Sequence, residues 1–504
     1  MPNWKRLLDQ NVHVVGLAGT EGAAVVDFLL RHGARQITAH ELRPPEAFAE
    51  EFHRTHVWMS ADERDAALAR LRASPVAVRY HDRYLEGVAS ADVIFAPQAW
   101  FRYPPNAPLR VLHDQGRRFS SMMQLFFETS PAPICGVTGT NGKFTVAQLI
   151  YDMLRRSGKP AFFSGNDRSH VPMLYFLEQI PPSAWLVLEI SNRQLVDFPY
   201  SPHLAVITNI APHHLDDHGS MDAYVETKRT IIKYQRPGDH AVLNADNPYT
   251  AHLAGVVAQV YLFSRLRPLS PGAFVEGNDL VLAAAPGAAR VPLRTITRLG
   301  PHMVENALAA ALAASLAGAS IPAIAEVLAA FRGLPYRGRL VGEVEGIAYY
   351  EDSLATNPAA AAAGIASMQR PFVLIAGGMR RGARVEDFGP MRDALAASPA
   401  KAVMLIGTTA PLLADALAGS RVPVTVVGTL ERAVATATTQ AAPGDAVLLS
   451  PGCESFDQFR DYRDRGDQFV QLVQELGGAS GKIFYPGQAP GGGTPAARSD
   501  PTRR

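Results

Sequence analysis

Residues 136–146 read GVTGTNGKFTV, an apolar run opening into glycines, small polar residues and one lysine. Such a strand, glycine turn and following helix place backbone N–H groups and a helix N-terminus around a phosphate. In that reading Gly139, Thr140, Asn141 and Gly142 form the cradle and Lys143 adds a cation toward the terminal phosphates. The general pattern G-x-x-x-x-G-K-[ST] fails at both ends. Its first glycine falls on Val137, and Phe144 stands where a hydroxyl normally meets the metal. The plainer reading, an incidental glycine turn with a solvated lysine, suits a bare G-K pair better than T-G-T-N-G-K after a β run.

Other residue types with chemical potential also follow apolar runs. Glu189 ends WLVLEIS, and a carboxylate at the C-terminal edge of a sheet sits where α/β ligands collect. It suits Mg²⁺, which takes one or two carboxylates with phosphate oxygens and waters, although pairing with an arginine is the bland alternative. The stretch TNIAPHHLDDHGSMDAYVETK carries His213, His214, Asp216, Asp217 and His218, with Lys228 on the helix beyond. Irregular spacing and the lack of cysteines disfavour zinc. A strand-end histidine serving Mg²⁺ fits better, and a polar loop with capping aspartates remains the alternative. Farther on, YYEDSLATNP brings Asp352, Ser353, Thr356 and Asn357, and AGGMRRGARVEDF brings Arg380, Arg381 and Arg384, a clamp for carboxylate or phosphate. LLSPGCESFDQFRDY ends a third run in small and polar residues. Each alone reads as a loop, whereas three together point to a pocket. Near the start, GLAGTEG is a G-x-x-G-x-x-G turn, not the G-x-G-x-x-G fingerprint, and Glu41 and Arg43 close the next strand.

The elements that must position these groups alternate β and α. The first segment runs VHVVGLAGTEGAAVVDFLLRHG then QITAHELR, a βαβ order of a doubly wound domain. After PAP at 131–133 the alternation restarts, with strands in WLVLEIS, LAVITNI and HAVLNAD and helices in HMVENALAAALAASLAGA and IPAIAEVLAAF. A third unit begins near Arg337, with strands in IAYYEDS, PFVLIAGG, KAVMLIG and AVLLSPG. The expectation is three consecutive α/β domains, 1–130, 131–336 and 337–478, with a tail at 479–504 too polar and glycine-rich to order. Composition agrees: 47% hydrophobic, 19% charged and a net charge of +1, which gives no electrostatic case for nucleic acid or anionic membrane. Cys135 and Cys453 cannot supply a disulfide framework for three domains. No run approaches the ~20 apolar residues of a membrane helix, and a cytoplasmic monomer is expected.

In their order, GVTGTNGK, LEIS, NIAPHHLD, the lysine of ETKR, NADNP, GPHMVENALAA, GLPYRGR, DSLATN and LLSPGCESFDQFRDYRDRG resemble the Mur ligases of bacterial cell-wall synthesis. The last stretch resembles the member that adds D-glutamate. The resemblance implies a Rossmann-like UDP-binding domain, a central P-loop ATPase domain and a C-terminal Rossmann-like domain. It also implies an ATP-dependent amide ligase that joins D-glutamate to UDP-N-acetylmuramoyl-L-alanine through an acyl phosphate. Another amino acid such as L-glutamate, another acceptor, or a degenerate nucleotide-binding homologue are the alternatives.

By the same resemblance Lys143 serves the ATP phosphates, and Glu189 and His214 serve two Mg²⁺ ions. Lys228 matches a lysine that is carbamylated in the family. Asn306, Arg337 and Asp352 match nucleotide positions. Gly16, Thr20, Glu41, Arg43 and Asn166 match the UDP-sugar site, and Thr356, Arg381, Ser455 and Tyr462 the amino-acid pocket. Departures are Phe144 for Thr or Ser, Asn192 for a second serine, Leu42 for a hydroxyl residue, Leu354 and Arg381 for lysines, and Tyr462 for Phe. The resemblance leaves two ways to meet the missing hydroxyl: Thr145 takes over, or the backbone there suffices while Glu189 holds the metal.

Overall fold

The computed structural model describes residues 3–56, 58–166, 171–211, 219–253, 257–283, 288–296, 300–380, 382–478 and 482–483. His214 and Arg381 lie outside them, as do His213, Asp216, Asp217 and His218.

The first sheet holds β1 (Asn11–Val15), β2 (Gln36–Glu41), β3 (Ala77–Tyr80), β4 (Val93–Phe95) and β5 (Phe119–Ser120), in the order β3-β2-β1-β4-β5. Its pairings are all parallel. A parallel strand covered on both faces reads as an unbroken apolar run, and Val12, Val14 and Val15 are buried accordingly. The winding reverses between β1 and β4, so a crevice opens at their C-terminal ends, the place where such sheets take ligands.

The second sheet holds β6 (Ile134–Thr138), β7 (Ala161–Ser164), β8 (Trp185–Glu189), β9 (Leu204–Ile207), β10 (His240–Asn244), β11 (Gln259–Ser264), β12 (Gly272–Glu276), β13 (Asp279–Ala283) and β14 (Ala289–Pro292). Their order is β14-β13-β12-β11-β10-β9-β6-β8-β7, with antiparallel pairing only at β12-β13-β14. β6 therefore lies between β8 and β9, which sets Glu189 beside Val137 and Ile207 beside Thr138 in register. The helix Lys143–Arg156 follows β6, and the alanine-rich helix Pro301–Leu316 is buried almost all round. A helix apolar on every face must lie inside, and its small side chains let neighbouring backbones approach.

The third sheet holds β15 (Arg339–Val344), β16 (Ile347–Glu351), β17 (Phe372–Gly377), β18 (Ala400–Ile406), β19 (Val424–Gly428), β20 (Ala446–Leu449) and β21 (Lys482–Ile483), ordered β19-β18-β17-β20-β16-β15-β21.

The chain divides into two compact units, one carrying the first two sheets up to Ala330 and the other running from Phe331. A single apolar cluster explains the first: it joins Val12, Phe28 and Phe126 to Met173, Leu186 and Leu243. The division expected at 130/131 thus separates two sheets that share a core. In the second unit, β21 adds antiparallel to β15, so the segment expected to lack order from residue 479 contributes a short strand, its backbone pairing with Gly342 and Glu343. No helix among the described residues is long and apolar enough to cross a membrane.

Candidate active site

Two glycines shape the loop after β6. Gly139 has φ +151°, and an added Cβ would fall 1.9 Å from Thr208 Oγ1. Gly142 has φ +82° and caps the helix Lys143–Arg156, and its Cβ would fall 2.2 Å from Asn306 Oδ1. Only glycine tolerates both the left-handed backbone and the close approach. The loop between them is laced to the β9 end. Thr208 Oγ1 donates to the Asn141 carbonyl (2.6 Å), the Asn141 N–H donates to Asn209 Oδ1 (3.0 Å), and the Thr140 N–H donates to the Asn209 carbonyl (2.8 Å). The NADNP stretch pins that strand end in turn, Asn244 Nδ2 donating to the Thr208 carbonyl (2.9 Å) and Asn247 Nδ2 to the Ile210 carbonyl (3.0 Å).

Two lysines converge on the loop. Lys143 Nζ donates to the carbonyls of Gly139 (3.1 Å) and Thr140 (3.0 Å). Lys228, from the helix Met221–Lys233, is 1% exposed and donates to the same Gly139 carbonyl at 2.9 Å. Burial first, and the Lys143 cation beside it second, push the Lys228 amine well below the ordinary lysine range. Phe144 turns away from the loop and meets Phe163 of β7 edge-on, with ring centroids 5.4 Å apart. Thr145 is buried on the first helical turn.

Glu189 stands at the end of β8, next to the loop strand, and its Oε2 accepts from the Asn166 N–H (3.1 Å). Lys143 and Lys228 thus meet at Gly139, Asn306 abuts Gly142, and Asn166 and Glu189 meet on the neighbouring strand ends, Glu189 in register with Val137 of the loop strand. The described residues contain no cluster of three or more histidine, cysteine or acidic side chains that suits a metal by itself. A lone carboxylate beside a phosphate cradle fits Mg²⁺, which draws its remaining oxygens from phosphate and water.

At the crevice of the first sheet, the Gly16 N–H donates to the His40 carbonyl (2.8 Å). Glu41 is 2% exposed and turned inward: Oε2 accepts from the Ala18 N–H (2.8 Å) and Oε1 from the Arg43 N–H (3.0 Å). It holds the glycine turn open, while the Arg43 guanidinium reaches Glu51 (3.0 Å). Thr20 opens the helix Thr20–Arg31, its hydroxyl donating to the Thr55 carbonyl (3.1 Å).

In the second unit the expected residues lie at strand ends of the third sheet. Asp352 follows β16 and accepts from the Gly338 N–H (3.1 Å) and the Ser450 hydroxyl (2.7 Å). Burial raises it to about 7, against the opposing pull of Ser450 and of the nearby Arg337. Glu351 before it is fully buried and likewise raised to about 7, with Arg339 pulling the other way. Arg465 organises the surrounding loops. Fully buried, it donates to the Ser353 hydroxyl (2.9 Å) and carbonyl (2.9 Å) and to the Cys453 carbonyl (3.1 Å). That brings the loop of Thr356 to the loop of Ser455, and Tyr462, at the start of the helix Tyr462–Gly477, packs edge-on against Tyr336.

Sequence reasoning missed Thr208, Asn209, Tyr224 and Arg465. The first two stand inside TNI, where the histidines drew attention, and Tyr224 reaches the Thr140 hydroxyl (3.1 Å) from the Lys228 helix. Arg465 lies inside the stretch LLSPGCESFDQFRDYRDRG that carries the resemblance, but nothing local sets it apart, since an arginine in DYRDRG reads as solvated.

Residues 137–314 match the Mur ligase middle domain, and residues 336–453 match the Mur ligase glutamate ligase domain. The UDP-N-acetylmuramoylalanine–D-glutamate ligase of Symbiobacterium thermophilum is 36% identical over 479 residues, spanning 93% of this chain and 99% of that protein. The protein of that name from Acetivibrio thermocellus is 33% identical over 485 residues, spanning 94% and 98%. Among solved structures, the UDP-N-acetylmuramate-alanine ligase MurC of Thermotoga maritima matches with a TM-score of 0.53 at 17% identity, covering 92% of this chain and 99% of that one. MurF ligase of the same organism, in complex with ADP, matches at 0.51 with 16% identity, covering 94% and 97%. At such identities the structures speak for the fold alone. With both domain matches in order and the full-length relatives above 30%, the chain belongs to the Mur ligase family.

Proposed function

We propose that this chain is an ATP-dependent ligase that adds D-glutamate to UDP-N-acetylmuramoyl-L-alanine in bacterial peptidoglycan precursor synthesis, acting in the cytoplasm as a monomer. The observation that carries this reading is the convergence of Lys143 and Lys228 on the Gly139 carbonyl at a glycine-capped helix N-terminus. The names of relatives one-third identical over their whole length support the acceptor and the amino acid.

A carboxylate is a poor acyl donor at neutral pH, because it is anionic and its leaving group would be oxide. The terminal phosphoryl group of ATP is transferred to the alanyl carboxylate oxygen, which releases ADP. The glutamate amine then attacks the acyl carbon, and phosphate leaves with the carbonyl re-formed. The chain's part is positioning and charge neutralisation. In this reading the N–H groups of residues 139–142 and Lys143 hold the ATP phosphates, with Asn306, Arg337 and Asp352 on the nucleotide. Gly16, Thr20, Arg43 and Asn166 bind the UDP-sugar, and Glu41 keeps its glycine turn in shape. Thr356, Arg381, Ser455 and Tyr462 receive the amino acid. Glu189, Thr145, His214 and a carbamylated Lys228 would hold Mg²⁺, which neutralises charge on the phosphate oxygens. The depressed basicity of Lys228 supports carbamylation, since only the neutral amine attacks CO₂, losing a proton as the N–C bond forms. Residues 1–130, 131–336 and 337–478 are assigned to the UDP-sugar, ATP and amino-acid parts.

The test is phosphate release by the purified protein with UDP-N-acetylmuramoyl-L-alanine, ATP and Mg²⁺, offered D-glutamate, L-glutamate and other amino acids. Release with D-glutamate alone supports the reading. Release with another amino acid makes Leu354 and Arg381 the specificity change, and silence across the panel with ATP still bound favours a degenerate homologue.

A further inference from the structure

One side chain outside every expected site ties the two sheets of the first unit together at their ligand-facing edges. Gln98 follows β4 at the reversal point of the first sheet, and its backbone N–H donates to Glu21 Oε2 (2.9 Å) on the first turn of the helix Thr20–Arg31. Its amide nitrogen donates to Asn166 Oδ1 (3.1 Å), just past β7. Its amide oxygen lies 3.0 Å from the Ser191 hydroxyl, just past β8. A primary amide offers a donor end and an acceptor end, and the two strand ends present one partner of each kind. Ser191 is buried and fixed by Gln194: its N–H donates to Gln194 Oε1 (2.9 Å), its oxygen accepts from the Gln194 N–H (3.3 Å), and its hydroxyl proton is shared between Gln98 Oε1 (3.0 Å) and Gln194 Oε1 (3.1 Å). The Asn166 N–H in turn donates to Glu189 Oε2 (3.1 Å). A continuous line of contacts therefore runs from Glu21 through Gln98 and Asn166 to Glu189, from the crevice of the first sheet to the carboxylate beside the phosphate loop.

We propose that Gln98 is a positioning residue, which fixes Asn166 and Glu189 relative to the Gly16 turn so that an acceptor bound in the first-sheet crevice presents its carboxylate to the phosphoryl group. What is positioned rests on the ligase reading above; the contacts do not. A misplacement of about 1 Å at such a junction costs on the order of 100-fold in rate. A residue that only joined two sheets would act on stability instead.

The experiment compares full-length parent, Gln98→Ala and Gln98→Glu. The glutamate variant keeps shape and an acceptor for Ser191, but turns the donor facing Asn166 into a second acceptor. Both variants are expected to lose roughly 10- to 100-fold in kcat, with KM for ATP within about twofold of the parent. Hydrogen exchange at the Asn166 amide is expected to speed up about tenfold or more, whatever the activity. A Gln98→Ala protein with parental kcat and parental exchange overturns the inference. So does one whose melting temperature collapses together with its affinity for both substrates. A silent parent sinks the ligase reading instead, and the Asn166 exchange still decides whether Gln98 positions that strand end.

Discussion

Gly142→Ala tests whether the phosphate loop is held open by sterics as the geometry requires. Two separable effects add. At φ +82° a Cβ brings a left-handed penalty of about 1–2 kcal/mol. That Cβ would also fall 2.2 Å from Asn306 Oδ1 and 3.0 Å from its Cγ, so the buried Asn306 side chain must swing out. Displacing it forfeits its contact to Met303 and its packing, about 1–2 kcal/mol more. The single variant is thus expected to destabilise the loop by roughly 2–4 kcal/mol and to weaken ATP binding. Because the obstruction is the end of a side chain, Asn306→Ala removes it and leaves only the backbone penalty. The double variant should fall short of the sum of the singles by about 1–2 kcal/mol. Native-state hydrogen exchange across residues 134–156, with nucleotide affinity by calorimetry, reads both quantities. Strict additivity of the two substitutions, or a Gly142→Ala protein with parental protection, would refute the reasoning.

Three further outcomes follow from other parts of the chain. Phe144→Thr gives up a half-buried ring set edge-on against Phe163, so the helix Lys143–Arg156 should lose about 2 kcal/mol of protection while the Mg²⁺ requirement falls; an unchanged metal requirement removes the argument that this position costs the enzyme a ligand. Arg465→Lys cannot reproduce a fork that feeds the Ser353 and Cys453 carbonyls, and a loss of about 3–5 kcal/mol in the second unit, read by urea unfolding, is expected. Burial raises Glu351 and Asp352 from ordinary values of 4.5 and 3.8 to about 7 in the folded chain. The unfolded chain then releases these protons first, so the stability of the second unit should fall as pH rises from about 4 to about 7; protection at residues 339–352, relative to the intrinsic exchange rate at each pH, that grows over that window would contradict it.

Much of this protein was readable from local pattern. Continuous apolar runs announced buried parallel strands, and the glycine–lysine spacing announced a glycine turn that caps a helix right after a strand, because a strand, a turn and a helix N-terminus interact within a dozen residues. The shared core of the first two sheets was not readable, since nothing in the PAP segment reveals what packs across it. Nor were the contacts that complete the site. Lys228 meets Gly139 across 89 positions, and Arg465 meets Ser353 across 112. Such partners are decided by which strands pair and in what register, and crossover connections erase any local trace of that choice. The same limit applies to side-chain direction. Glu41 and Phe144 stood where chemistry was expected, yet one closes on backbone N–H groups and the other on an aromatic ring, because neighbours brought by the tertiary fold supplied those partners. Sequence determined which segments bring glycine turns, carboxylates and amines to the ends of buried strands; the folded chain alone decided which of those side chains meet one another and which close on backbone.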